Sequence, residues 1–244
     1  MTDYNEITDQ YKLVKTTYFH LYSEAHTIYK LLGDLKGKSA IDIACGDGYY
    51  TRSLKELGAE RVVGVDLSRN MIENARKFEE LLPLGIEYHV RDIAALEEMD
   101  RFDVALAVYF LHYMPAEAEL LKACRAIATN LVEEGRLVAA LMNPYIPEKC
   151  PFVLERFGFS WEFQEPLKDG AKVLTRLEVK DGILDLENYY WSRKTYESIL
   201  REAGFNKVVW HPLEISQDGM DELGSEYWDQ LNKNSPLIFL TAAK

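Results

Sequence analysis

Apolar and polar positions along this chain follow two different periods, and each change of period marks an element. From Asn5 to Leu32 the residues Ile7, Tyr11, Val14, Tyr18, Leu21, Tyr22, Ile28 and Leu32 recur mostly at helical spacing, which predicts two helices. Short continuous apolar runs then predict buried strands at 39–43, 61–65, 86–90, 102–108 and 136–142. Helical spacing fills the gaps, with helices predicted over 48–57, 69–82 and 115–131. In the last of these Pro115 takes the first helical position, and Leu120, Leu121, Cys124, Ile127, Ala128 and Leu131 form one apolar face. Glu133-Glu134-Gly135 reads as a tight return into the fifth strand. Strand and helix in alternation predict a parallel sheet covered on both faces.

The alternation stops at Asn143. Residues 144–170 are rich in aromatics and prolines, among them Tyr145, Phe152, Phe157, Phe159, Trp161 and Phe163. Two period-two runs follow, 171–179 and 183–191, joined by Lys180-Asp181-Gly182; an Asp-Gly between such runs predicts a hairpin. A helix over 194–203 ends at Gly204, a natural C′ glycine, and 205–210 and 237–242 read as the last strands.

Composition narrows the function classes. The 244 residues suffice for one core, and no repeat or long linker divides them, so a single domain spans 1–244. It comprises an N-terminal helical cap (about 1–35), a core (about 36–143 and 192–244) and an aromatic lid and hairpin (about 144–191). No apolar run reaches the roughly 20 residues that cross a bilayer. The acidic N-terminus, with Asp3, Glu6 and Asp9, lacks a signal-peptide pattern. Cys45, Cys124 and Cys150 are few and not at metal-ligand spacing, so a reducing cytoplasm and no metal are expected. A net charge of −12 leaves no basic stripe for phosphates, which argues against nucleic acid and for a small organic partner.

The chemistry concentrates in Ala40-Ile41-Asp42-Ile43-Ala44-Cys45-Gly46-Asp47-Gly48 and Val62-Val63-Gly64-Val65-Asp66. The first run is a strand that breaks into a turn where glycines admit close approach of a ligand to the backbone. The second ends in a carboxylate 20 residues after Gly46, the separation at which an acid reaches a ribose held over the first turn. A dinucleotide fingerprint wants a third glycine, but Thr51 stands three residues after Gly48. Asp42 and Asp47 would repel a pyrophosphate and suit a ligand bearing an ammonium and a sulfonium, as S-adenosylmethionine does. A nicotinamide oxidoreductase is the remote alternative.

Asp42-Ile43-Ala44-Cys45-Gly46-Asp47-Gly48 resembles the glycine-rich first motif of class I S-adenosylmethionine-dependent methyltransferases. Val65-Asp66-Leu67-Ser68 with Met71 resembles their second motif, Arg91-Asp92-Ile93 the third, and 102–109 the fourth strand. The resemblance implies an α/β fold, Rossmann-like and doubly wound, with a mostly parallel seven-stranded sheet and an antiparallel edge strand. The lid would then stand over the carboxyl ends of the strands, where open α/β sheets bind ligands. It also implies cofactor contacts from Asp42, Ala44, Cys45, Gly46, Gly48, Asp66 (ribose), Leu67, Met71, Asp92 and Ile93 (adenine) and Val108, with Tyr11 and Tyr18 folding over from the cap. Leu32 to Lys38 and Gly204 to Pro212 further resemble toxoflavin-type small-molecule N-methyltransferases, although His20 and Leu21 stand where that group carries a basic residue.

Tyr109, His112 and Tyr113 follow the fourth strand, where the family places groups near the transferring methyl. His112 reads as a positioning group or general base, or equally as a satisfied buried histidine. His20, Tyr113, Asn143, Tyr145, Tyr189 and Trp191 are the candidate substrate contacts, with core packing as the alternative for the aromatics. Asn143-Pro144-Tyr145 is similar to the N-P-P-Y motif of nitrogen methylases, but follows the fifth strand rather than the fourth and lacks one proline. The expected reaction is in-line transfer of a methyl from S-adenosylmethionine to a small aromatic or heterocyclic nitrogen, leaving S-adenosylhomocysteine, by a monomer or homodimer. O- or C-methylation of a phenol, quinone or small acid is the rival, and a non-catalytic cofactor-binding accessory subunit the reading from another class.

Overall fold

The computed structural model describes residues 17–93, 99–145, 152–179 and 182–244. A π-helical turn, His20–Glu24, runs directly into α1, Ala25–Leu32. Then β1 (Ser39–Ile43), α2 (Tyr49–Glu56), β2 (Arg61–Asp66), α3 (Arg69–Leu81), β3 (Glu87–Val90), β4 (Phe102–Val108), α4 (Glu117–Thr129) and β5 (Leu131–Met142) alternate as expected. Four strands, β6 (Phe152–Leu154), β7 (Phe159–Phe163), β8 (Lys172–Val179) and β9 (Gly182–Tyr189), form a separate antiparallel sheet in that order. The chain closes with α5 (Arg193–Glu202), β10 (Lys207–Pro212), α6 (Gln217–Lys233) and β11 (Leu237–Ala243).

The main sheet has seven strands in the order β10-β11-β5-β4-β1-β2-β3. β5, β4, β1, β2 and β3 are parallel, and β11 runs antiparallel to both β5 and β10, one place in from the edge. Pleating sends alternate residues of β1 to opposite faces. Ile41 and Ile43 join Leu120 and Ile127 of α4 and Tyr196 and Ile199 of α5 in one buried layer. Ala40 joins Ile28 and Leu32 of α1, Leu54 of α2 and Ile72 of α3 in the other. Helices therefore cover both faces and leave the two ends of the parallel strands, of which open α/β sheets use the carboxyl end for ligands.

The structure corrects two boundaries. Helix α4 starts at Glu117 with Ala116 at its cap, so Pro115 precedes the helix rather than opening it. β5 begins at Leu131, and Glu133-Glu134-Gly135 lies inside the strand, where the pairing with β4 shifts register between Phe102 and Val104. Gly135 is needed there because an added Cβ would lie 2.9 Å from the Val132 carbonyl oxygen and 3.1 Å from that of Phe102. β6, β7 and α6 had no counterpart in the expected elements. They arise from the aromatic segment, whose Phe152, Leu154 and Trp161 bury against Trp228 and Leu231 of α6 and Met142 at the end of β5. The hairpin pairs as expected, Val179 opposite Gly182, with Lys180 and Asp181 outside the described residues.

Candidate functional site

The turn after β1 is held by backbone bonds to its neighbours. Cys45 N–H donates to the Val65 carbonyl (3.0 Å), and Gly48 N–H closes the turn onto the Cys45 carbonyl (3.0 Å). Ala44, Gly46 and Gly48 all have positive φ (58°, 56° and 81°), and Gly48 caps α2 in the left-handed region. For Ala44 that backbone is uncommon, a form of local strain that clusters at ligand sites. The two glycines serve different ends. A Cβ on Gly48 would lie 2.4 Å from Tyr88 Oη, whereas one on Gly46 would meet nothing within 4 Å among the described residues. Gly48 permits packing behind the turn; Gly46 faces open space in front of it.

Two carboxylates brace this turn. Asp66, at the end of β2, accepts from Gly46 N–H through Oδ2 and from Ser68 N–H through Oδ1, both at 2.8 Å. The 20-residue separation read from the sequence is thus closed by a direct bond. Asp42 is buried and accepts from Thr51 Oγ1 at 2.6 Å, tying β1 to α2. The position that breaks the dinucleotide fingerprint is therefore the one that bonds the strand-end acid. Ser68 caps α3 by accepting from Met71 N–H, so Met71 is buried at the first turn while Leu67 is 60% exposed beside it. After β3, Asp92 is exposed and Ile93 is buried in the core.

Beyond β4, Val108 is half-buried and Tyr109 has a φ of 55°, its N–H bonded to the Ala140 carbonyl. His112 is buried, and Nδ1 accepts from Met142 N–H at 3.2 Å, which places the ring proton on Nε2. Burial lowers its pKa to about 3. A neutral imidazole whose free nitrogen already carries the proton can donate but cannot take a proton there, so the general-base expectation is corrected and positioning remains. Tyr113 is half-buried with its ring 5.1 Å from that of His112.

The expected substrate contacts separate into three groups. Trp191 is buried in the main core and donates to the Met114 carbonyl at 3.0 Å, so it pins the loop after β4 instead of offering a face to a ligand. Asn143 has both ends of its amide engaged, Nδ2 on the Ser235 carbonyl and Oδ1 on Tyr145 N–H, and is a turn-former. The Trp191 expectation is corrected. Tyr145 is 58% exposed with Arg193 donating to its hydroxyl, and Tyr189 is half-buried and bonded to Glu187. Tyr18 is also exposed, stacked on Tyr22 (centroids 5.9 Å apart), and Tyr11 lies outside the described residues.

His20 falls in an arrangement the sequence reading missed. Glu24, buried at the end of the π-turn, accepts from Tyr50 Oη (2.6 Å), from His20 Nδ1 (3.2 Å) and from Tyr109 Oη. Burial alone would raise its pKa, but the positive charge of His20 and the three hydrogen bonds hold it below the usual carboxylate value. Tyr50 is driven well above the ordinary phenol range by burial and by Glu24. One carboxylate of the cap thereby joins the first turn of α2 to the end of β4. Only the acid-plus-aromatic content of 18–24 hinted at this, since the partners lie 26 and 85 residues away.

A parallel sheet with helices on both faces, a glycine turn after β1 and an acid bonded to that turn from β2 define a Rossmann-like nucleoside-cofactor protein. A family described as a methyltransferase domain matches residues 40–135. A demethylmenaquinone methyltransferase of Lactococcus lactis is 31% identical over 193 residues, 73% of this chain and 70% of that one. A ubiquinone biosynthesis O-methyltransferase of Coxiella burnetii is 35% identical over 110 residues, 45% of each chain, so the chain spans about half the length of that relative. An N-demethylindolmycin N-methyltransferase of Streptomyces griseus is 29% identical over 69% of this chain and 70% of that one. Among solved structures, an S-adenosylmethionine-dependent methyltransferase from Mesorhizobium loti superposes with a TM-score of 0.65 at 19% identity, covering 95% of this chain and 100% of that one. A 1,6-didemethyltoxoflavin-N1-methyltransferase from Burkholderia thailandensis gives 0.56 at 16% identity over 90% and 76%, a likeness of fold. The chain belongs to the class I S-adenosylmethionine-dependent methyltransferases. The family's cofactor suits the turn, whose open face at Gly46 leaves room that any side chain would fill. Among the described residues no three His, Cys, Asp or Glu side chains group to hold a metal ion, and no helix is long and apolar enough to cross a membrane.

Proposed function

We propose that the protein is an S-adenosylmethionine-dependent methyltransferase that methylates a nitrogen of a small aromatic or heterocyclic molecule. The observation that carries this reading is the clasp between Asp66 and the open glycine turn. Asp66, an ionised acceptor fixed by two backbone bonds, would receive the ribose hydroxyls, with Asp92 and Ile93 holding the adenine edge and face. Asp42, through the turn, would favour the cationic end. When bound, the cofactor supplies an already activated methyl on a sulfonium. What the chain must add is alignment and exclusion of water, a role for the four-stranded sheet, whose Phe152 and Trp161 pack with Met142 at the carboxyl end of β5. Tyr109 and Tyr113 stand at the acceptor side, and His112 fixes the loop that carries them.

A second reading, O- or C-methylation of a quinone or phenol, is favoured by the Coxiella and Lactococcus relatives. Labelled cofactor incubated with N–H heterocycles and with phenols and quinones separates the two by which product takes up label. Label in no product, with the cofactor still bound, would favour an accessory subunit. Calorimetry with S-adenosylmethionine and with NADH tests the class itself, and binding of NADH alone would overturn it. Asp66→Ala is expected to weaken S-adenosylmethionine by about 1–3 kcal/mol, the loss for an unpaired polar partner. An unchanged dissociation constant would remove Asp66 from the site.

A further inference from the structure

The Glu24 cluster fixes more than the packing of the cap. Its two oxygens take three donors: Oε1 accepts from Tyr50 Oη and His20 Nδ1, and Oε2 accepts from Tyr109 Oη. An ionised carboxylate only accepts, so each of these bonds states where a proton is. Tyr109 has a single hydroxyl proton, and it points at Glu24. Unlike Glu24, Tyr109 is only half-buried, and it follows β4 at the edge where the acceptor is placed above. Its backbone is held as well, by a positive φ and by the bond from its N–H to Ala140.

We infer that Glu24 is the positioning residue for Tyr109, and that it turns the Tyr109 oxygen into an acceptor-only contact selecting a methyl acceptor that carries an N–H or O–H. This inference rests on the reading of the site as a methyltransferase site. Any further partner of Tyr109 Oη must be a donor, because the phenol has no second proton to give. A nucleophile that keeps its proton until the methyl arrives meets that requirement: its lone pair takes the methyl as the carbon–sulfur bond breaks, and the N–H or O–H proton is then lost to solvent as the product leaves. A tertiary amine or thioether does not, and would leave the oxygen facing a group that cannot bond it. Glu24 is suited to the task because the charge of His20 and its hydrogen bonds keep it ionised despite burial. It does not itself touch the acceptor.

Glu24→Gln tests this, since the amide keeps the shape but puts N–H donors on one arm and releases a phenol proton. With 13Cζ-labelled tyrosine, the parent protein is expected to show a slowly exchanging Tyr109 hydroxyl proton that Glu24→Gln loses. With N–H or O–H acceptors that the parent methylates, Glu24→Gln and Tyr109→Phe should each lower kcat/KM about 10- to 100-fold. The double variant should be no worse than the poorer single one, because coupled residues do not add. The dissociation constant of S-adenosylhomocysteine should stay within about threefold throughout. A Tyr109 hydroxyl that exchanges freely in the parent overturns the proposal without needing any acceptor. Strictly additive losses, or equal turnover of acceptors lacking the proton, overturn it too. Failure of the parent to bind S-adenosylhomocysteine would instead overturn the methyltransferase reading.

Discussion

At the carboxyl edge of the main sheet the polar groups are inside, and in the second sheet they are outside. Asp42, Asp47, Thr51, Ser68 and His112 are all buried near the ends of β1, β2 and β4; Thr51 bonds Asp42, while Ser68 and His112 accept from the backbone N–H groups of Met71 and Met142. In the second sheet the ions sit in exposed pairs, Arg176 with Glu162 and Asp185, and Lys172 with Glu187. Its interior is aromatic and aliphatic apart from Thr175, bonded to Asn188 at 2.6 Å. Exposed pairs contribute only about 0–1 kcal/mol each, so that sheet stands on packing. Buried charge costs several kcal/mol unless its bonds are made, so its presence around the turn needs a local reason. A ligand site is such a reason, and a wall does not need one.

The largest break between the regions is expected from Trp228→Ala, which empties the centre of the second sheet's cluster and removes a donor to the Gly219 carbonyl. Loss of a buried Trp of this kind costs about 3–5 kcal/mol. Urea denaturation should show that loss while S-adenosylhomocysteine affinity stays within about threefold. Collapse of both together would mean that the two regions are one unit.

Next is the pair of turn glycines. Gly48→Val meets Tyr88 and an unfavourable φ, an overpacking cost of about 1–3 kcal/mol with about 1–2 kcal/mol more for the left-handed backbone. Gly46→Ala carries only the backbone cost, yet it should lose most cofactor affinity because the methyl enters the open space. Equal effects of the two on stability and on calorimetric affinity would erase the distinction drawn between them.

A test that touches neither packing nor the turn is acid. His112 is neutral when folded, with its pKa at about 3, but takes a proton near pH 6.5 when unfolded. Below pH 6.5 the unfolded state therefore binds more protons, and stability falls by about 1.4 kcal/mol per pH unit until about pH 3. His112→Gln should flatten that slope in denaturation measured from pH 6.5 to 4. Between pH 7 and 8 this residue should leave no inflection in turnover.

Much of this was legible because it is local in sequence or periodic. The apolar runs gave β1 to β4, and the Gly46–Asp66 separation gave the clasp, since consecutive parallel strands place their ends side by side. The start of β5 was misread because Glu133-Glu134-Gly135 has the composition of a turn, and only the approach of Phe102 shows it to be an irregular stretch of strand. β6 and β7 were missed because they are short and alternate poorly until β8 pairs with them. For Trp191 a substrate contact and core packing stood as alternatives, since an aromatic's burial is not written in its own neighbours.

By itself, then, the sequence determined the doubly wound sheet, the turn and its paired acid, because each depends on spacing within a few tens of residues. Tertiary structure alone decided the proton positions on His112 and Tyr109 and the burial of Glu24. Those follow from donors and acceptors far apart in the chain, from Glu24 to Tyr109 and from His112 to Met142, brought together where water no longer competes for them.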